Sequence, residues 1–277
     1  MNNRIIGIGS FAFRYHIGIP ACTPARPMTP FGFIDAVESL GLTRLQFCEN
    51  LRYADEPTHS IRWMSELCRE KGLTVELGMY GLTQENLARH IRLAEVFSSR
   101  FIRVVVGELA EDNRQSAQTA LEAIRALLPE LTRHHITLGI ENHFDITTEQ
   151  VIEIIQAIDD PHVGAVYDTT NAIGFIEHPS HTLALMLPYV KSVHLKDYRM
   201  NKVEASIVMS GQILGEGVLD TENIIRQVAR VNPDASIIME QTIRRLDGIT
   251  PEQAVEMEQM QIERSIAYLK ALSIKIV

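Results

Sequence analysis

Four short apolar runs of this chain each end on a side chain that can hold a cation or move a proton: Glu141 in LGIENH, Asp168 in AVYDTTN, His194 in KSVHLKD and Glu240 in IIMEQT. Three carboxylates and one imidazole are an oxygen-rich donor set. Such a set suits a divalent ion, with Mn2+, Mg2+ or Co2+ preferred and Zn2+ chemically acceptable. Taken singly, Asp168 also reads as a helix cap, since Thr169 and Thr170 follow it, and His194 as a hydrogen-bonded core histidine. Taken together they point to a metal, because burying this many carboxylates is costly unless a cation compensates them.

Further polar residues cluster near the same run ends. Lys196 follows His194 by two residues, so on one strand both face the same side, and its ammonium could neutralise an enolate oxygen or a carboxylate. Arg199 is a candidate for holding a substrate oxygen, or else for a salt bridge to Asp197 or Glu216. Glu49 ends the run in QFCEN and reads either as a ligand for a substrate hydroxyl or as a cap. Of Asn142 and His143, next to Glu141, one would contact substrate and the other fix the loop. Phe11, Phe13, Tyr15 and His16 could form one wall of a pocket, with Tyr15 a substrate-binding candidate, although a loop packed on itself would look the same.

The elements that must position these groups are strands alternating with helices. Eight strand candidates can be counted: Ile5 to Gly9, Arg44 to Cys48, Thr74 to Leu77, Phe101 to Val106, Thr137 to Ile140, Gly164 to Tyr167, Val190 to Leu195 and Ser236 to Met239. Between them run helix-like segments with their own punctuation, such as Pro30 before FGFIDAVESL and Gly41 after it, or Thr83 before ENLARHIRLAEVF. Eight strand-helix units in 277 residues fit one α/β domain, a (β/α)8 TIM barrel over residues 1–277. An open doubly wound sheet fits less well, because no glycine-rich turn follows the first strand. A barrel also brings the C-terminal ends of its strands to one face, where the four candidate ligands would meet. The proline-rich PACTPARPMTP is expected as a structured loop over one end of the barrel, and Trp63 as helix packing.

Composition narrows the function class. With 26 Lys plus Arg against 35 Asp plus Glu, the net charge of −9 gives no footprint for nucleic acid, and no basic run makes an exception. The three cysteines, Cys22, Cys48 and Cys68, lack any CxxC spacing and fit a reducing compartment. Without a signal-like start or a long apolar stretch, the expectation is a cytoplasmic protein that meets no membrane. A monomer and a homo-oligomer are both compatible with the composition.

Beyond these readings, GIENH, VYDTTNA, SVHLKDYR, GEGVLD and the glutamate of IIMEQ resemble the sugar isomerase/epimerase superfamily with the xylose-isomerase-like barrel. That group includes ketose 3-epimerases, inosose dehydratases and hydroxypyruvate isomerases. The resemblance implies that Glu141, Asp168, His194 and Glu240 are metal ligands, most simply for Mn2+, and that the substrate is a small carbohydrate. It further implies that Glu141 and Glu240 act as an acid/base pair around a metal-stabilised enediolate in an isomerisation or epimerisation of a ketose. Two departures stand out. Ketose 3-epimerases generally carry a histidine three residues beyond the metal aspartate, where this chain has Asn171, a substrate-binding candidate. They also carry a glutamate several residues past the first ligand, where this chain offers Asp145 and Thr147. The same machinery could instead release carbon dioxide from a 3-oxo sugar acid or eliminate water from a polyol ketone, with Lys196 or Arg199 facing the leaving carboxylate. A metal-dependent lyase is therefore the alternative.

Overall fold

All eight apolar runs form strands in the computed structural model, which describes residues 5–110 and 112–275. They are β1 (Ile6–Gly9), β2 (Arg44–Phe47), β3 (Thr74–Tyr80), β4 (Phe101–Val105), β5 (Thr137–Glu141), β6 (Val163–Asp168), β7 (Val190–Leu195) and, last in the chain, β10 (Ser236–Met239). Each pairs in parallel with its neighbour, and β10 joins β7 to β1 to close the ring. The (β/α)8 architecture expected from the alternation is thus present. Met1 to Arg4, Glu111 and the last two residues lie outside the described residues, and so does the end of the whole-chain domain span.

The helices cover the outside for the reasons their sequences suggest. Thr29 accepts a hydrogen bond from Gly32 N at the start of the helix Pro30–Ser39, and Thr83 accepts one from Asn86 N at the start of Gln84–Phe97. Thr147 and Gln150 form a reciprocal capping box before Thr148–Ile158, which gives Thr147 a structural role. The Phe31 and Trp63 rings pack 4.8 Å apart between two such helices, as expected of Trp63.

Two elements were not anticipated. Directly after β7 the chain forms a hairpin, β8 (Asp197–Val203) with β9 (Ser206–Gln212), standing apart from the barrel as its own two-stranded sheet. A further helix, Pro179–Met186, precedes β7. The hairpin escapes a count of buried runs because most of its residues are exposed and its strands alternate weakly.

Inside the barrel, large and small residues interdigitate. A Cβ added to Gly9 would stand 2.8 Å from Glu240 Oε1, so the bare backbone of β1 leaves room for that carboxylate. Gly9→Ala is accordingly expected to fold, at a cost of about 1–3 kcal/mol from overpacking. It should also weaken metal affinity about tenfold by displacing Glu240; calorimetric titration with Mn2+ checks this.

Candidate metal centre and active site

Glu141 and Asp168 are the final residues of β5 and β6, His194 lies one residue before the end of β7, and Glu240 follows β10. Register aligns them: Asp168 is opposite His194, and His194 is opposite Ile238, whose side of the strand Glu240 shares. Side-chain clips fix the strand ends. Asn142 Nδ2 donates to Asp168 O at 3.0 Å while its Oδ1 accepts from Asp168 N at 2.7 Å. Thr169 Oγ1 donates to Lys196 O and accepts from Lys196 N.

The result is a buried cluster in which one ligand atom each from Glu141, Asp168 and His194 lies within 4.8 Å of the others. Glu240 stands beside it, with Oε1 3.6 Å from His194 Nδ1, and Glu141 Oε2 is 3.3 Å from the same nitrogen. Asp168 Oδ1 accepts from Thr170 N, Thr170 Oγ1 and Asn171 N, so this carboxylate folds its own loop with one oxygen and leaves the other for the cluster. Asp168 is therefore cap and ligand at once.

The donor set fits a divalent ion. Both ring nitrogens of His194 are buried without a hydrogen-bond partner among the described residues, and such groups are rarely left so. Asp168 Oδ2 meets charge instead: Lys196 Nζ lies 2.6 Å from it and 3.2 Å from Glu240 Oε2. His194 of β7 and Lys196 just after it both reach Glu240, in keeping with their spacing of two.

Arg103, from the middle of β4, is the residue that sequence reasoning passed over. It is 2% exposed; its Nε donates to Glu141 Oε2 and its Nη1 to Glu49 Oε2 at 3.0 Å. A lone arginine inside the apolar FIRVVV was the available signal. Burial alone would push the Glu141 carboxyl up, but Arg103 first, then His194 and Lys196, hold it well below the usual carboxylate range. Burial likewise opposes ionised Glu240, which His194 and Lys196 draw below its ordinary value. For His194 burial disfavours the charged ring, yet Glu240 and Glu141 raise it overall. Lys196 is desolvated too, and Asp168 and Glu240 push its ammonium upward.

Above this ionic floor opens a cavity of about 430 Å3, walled by Phe11, Phe144, Ile173, Met209 and Thr242, with His143 and Asn171 at its edge. His143 Nδ1 is 3.0 Å from Asp145 Oδ1, and Asp145 Oδ2 accepts from Gly107 N at 2.6 Å, so Asp145 orients the histidine rather than reaching the cavity. Asn171 Nδ2 donates to Glu141 Oε1 at 3.0 Å.

Three candidates stand elsewhere. Tyr15 does not line the cavity: its hydroxyl donates to Ile243 O and accepts from Arg245 N, tying down the loop that follows Glu240. The one-turn helix Arg14–Ile17 turns its ring toward Cys22 and Ala254. Arg199 is exposed on β8 and donates to Glu216 O at 2.8 Å, because the chain has already left the barrel wall at that point. Glu49 serves as the counter-ion of Arg103. Of the aromatic wall only Phe11 borders the cavity; Phe13 is core, and His16 pairs with Glu258.

A closed parallel barrel whose strand ends hold a buried carboxylate–imidazole cluster defines a metal-dependent enzyme, of the class that isomerises or epimerises sugars or acts on them as a lyase. The chain belongs to the Xylose isomerase-like TIM barrel family, which matches residues 34–272. A 3-oxo-isoapionate decarboxylase of Pectobacterium atrosepticum is 26% identical over 232 residues, covering 82% of this chain and 81% of that protein. Among solved structures, a xylose isomerase-like TIM barrel protein from Mycobacterium smegmatis in complex with magnesium superposes with a TM-score of 0.68 at 18% identity, covering 94% of this chain and 97% of that one. The D-psicose 3-epimerase of Clostridium cellulolyticum does so with a TM-score of 0.71 at 12% identity, covering 96% and 98%. At such identities the two structures establish the fold. No helix among the described residues is long and apolar enough to cross a membrane.

Proposed function

We propose that, within this class, the protein is a divalent-metal-dependent lyase that releases carbon dioxide from a 3-oxo sugar acid. One observation carries the choice over epimerisation: Arg103 donates to Glu141 Oε2 and Asn171 to Oε1, which keeps Glu141 a carboxylate that can ligate an ion with its remaining lone pairs but resists taking up a proton. A two-base epimerase needs both glutamates free to exchange protons, whereas loss of carbon dioxide needs no base to begin. The decarboxylase relative, 26% identical over most of this chain, supports the same reading.

The ligands would be Glu141, Asp168 and His194 with Glu240 beside them, and manganese is the ion the donor set favours. What such an ion supplies when bound is a Lewis acid that polarises the substrate carbonyl and compensates negative charge on its oxygen. The chain's own residues do the rest. Lys196 places an ammonium on the cavity floor for the substrate carboxylate. Breaking the bond between that carboxylate and its carbon leaves an electron pair delocalised onto the 3-oxo group. One proton must then reach the carbon for each carbon dioxide released. Lys196, held protonated by the carboxylates around it, delivers it, and Glu240, in contact at 3.2 Å, holds that ammonium in place. Apolar walls exclude water while this happens. The whole chain then works as one barrel domain, and its three free cysteines fit the cytoplasm.

Proton NMR of manganese-loaded protein in D2O, with 3-oxo sugar acids and free ketoses as substrates, tests this. The expected product has one carbon fewer and one solvent deuteron at the carbon that bore the carboxylate. Glu240→Gln is expected to slow it by about tenfold or more, because the ammonium that carries the proton loses a carboxylate that holds it. Deuterium exchange with every carbon retained would instead assign the isomerase or epimerase reaction.

A further inference from the structure

Phe144 combines two properties that do not usually go together: it is 59% exposed, and it forms a wall of the cavity. Its ring lies so close over Gly174 that a Cβ there would stand 2.6 Å from Cδ1 and 2.8 Å from Cε1. The His143 ring meets it edge-on, with centroids 5.0 Å apart. The aromatic face is thus held from below by a bare backbone and from the side by a histidine. Across the opening stand Phe11, whose ring lies 6.0 Å from the Arg103 guanidinium carbon, and Met209 of the hairpin.

We propose that Phe144 is a specificity-determining residue that stacks on the C–H edge of an open-chain sugar acid, and that residue 174 is glycine so that the ring can lie there. The inference rests on the sugar-acid substrate proposed above. The polar edge of the substrate faces the ionic floor, and its C–H edge needs an apolar partner that also keeps water from the carboxylate. A flat ring of this area supplies both. Gly174 does not adopt the left-handed conformation, and the nearest atoms an alanine would meet there are those of the Phe144 ring.

The test compares Phe144→Ala, Phe144→Tyr and Gly174→Ala with the unaltered, manganese-loaded protein. KM for the 3-oxo sugar acid is measured, together with calorimetric binding of threonate, a four-carbon sugar acid without a ketone, and of Mn2+ to the metal-free protein. Phe144→Ala and Gly174→Ala are expected to raise KM and weaken threonate binding about tenfold each, with Phe144→Tyr restoring both and Mn2+ affinity unchanged. Values within twofold for Phe144→Ala would overturn the proposal, as would a parallel loss of Mn2+ affinity. If the unaltered protein retains every substrate carbon yet the threonate pattern holds, the decarboxylase reading fails and the stacking role stands. If it neither turns over a sugar acid nor binds threonate, both fall.

Discussion

Chelation of the divalent ion is expected to abolish turnover and leave the barrel folded, and Lys196→Met is expected to separate those two effects. Metal-free, the cluster brings together three carboxylates, each no more than 1% exposed, and water cannot compensate them. Lys196 does so instead, through Asp168 Oδ2 at 2.6 Å and Glu240 Oε2 at 3.2 Å. An ammonium thus balances the charge that an ion would otherwise balance. Removing one partner of a buried ion pair costs about 3–5 kcal/mol because the other charge is left unpaired. Metal-free Lys196→Met should therefore melt on the order of 10 °C lower than the metal-free parent, at about 2–4 °C per kcal/mol for a chain of this size. Saturating Mn2+ adds binding energy to either protein, about 2.7 kcal/mol at a hundred times Kd. It should stabilise the variant more, since the ion then meets carboxylates with no competing ammonium. Activity should not follow stability: metal-loaded Lys196→Met is expected to bind Mn2+ more tightly and yet lose at least 100-fold in kcat, as loss of a charged transition-state partner does. Thermal melts with and without Mn2+, beside steady-state rates, check both halves. A variant as stable and as active as the parent would remove Lys196 from the site's charge balance and from its chemistry.

Arg103→Met is the second large effect. The guanidinium serves two carboxylates at once, Glu141 through Nε and Glu49 through Nη1. Its methionine substitute leaves Glu141 buried beside Glu240 with one cation fewer, again about 3–5 kcal/mol of lost stability. Arg103→Lys should recover only part, because a point charge cannot reproduce a planar fork with two separate acceptors. The pH dependence has a definite sign. In the parent protein the Glu141 carboxyl is held below its ordinary value despite burial, with Arg103 the largest favourable cause, so folding gains stability above the usual carboxylate range and loses it as pH falls. Without Arg103 that carboxyl loses its largest favourable partner and takes up a proton at higher pH than in the parent, so protonation relieves the variant first on acidification. The gap between parent and variant should be widest near neutrality and narrow toward pH 4, a value set by the ordinary carboxylate range of about 3.9–4.3. Denaturant titrations of the metal-free proteins across this range measure it. A gap that widens on acidification would mean that Arg103 is not what keeps Glu141 ionised.

The barrel and the buried group of Glu141, Asp168 and His194 were legible in the sequence, and the reason is local. A buried parallel strand is a short apolar run, the residue that ends it is the residue at the barrel mouth, and Glu141, Asp168, His194 and Glu240 sit at or near those ends. The period of two from His194 in β7 to Lys196 just past its end likewise put both on one side without any knowledge of what faced them. Tertiary structure alone decided the partners. That Arg103 of β4 crosses to Glu141 of β5 and Glu49 after β2, or that Lys196 lodges between Asp168 and Glu240, depends on register among strands far apart in sequence. It also decided where the chain turns away. Tyr15 on its single helical turn and Arg199 on the hairpin carry suitable chemistry but point elsewhere, because side-chain direction past a strand end is set by the loop's packing and not by a repeating pattern.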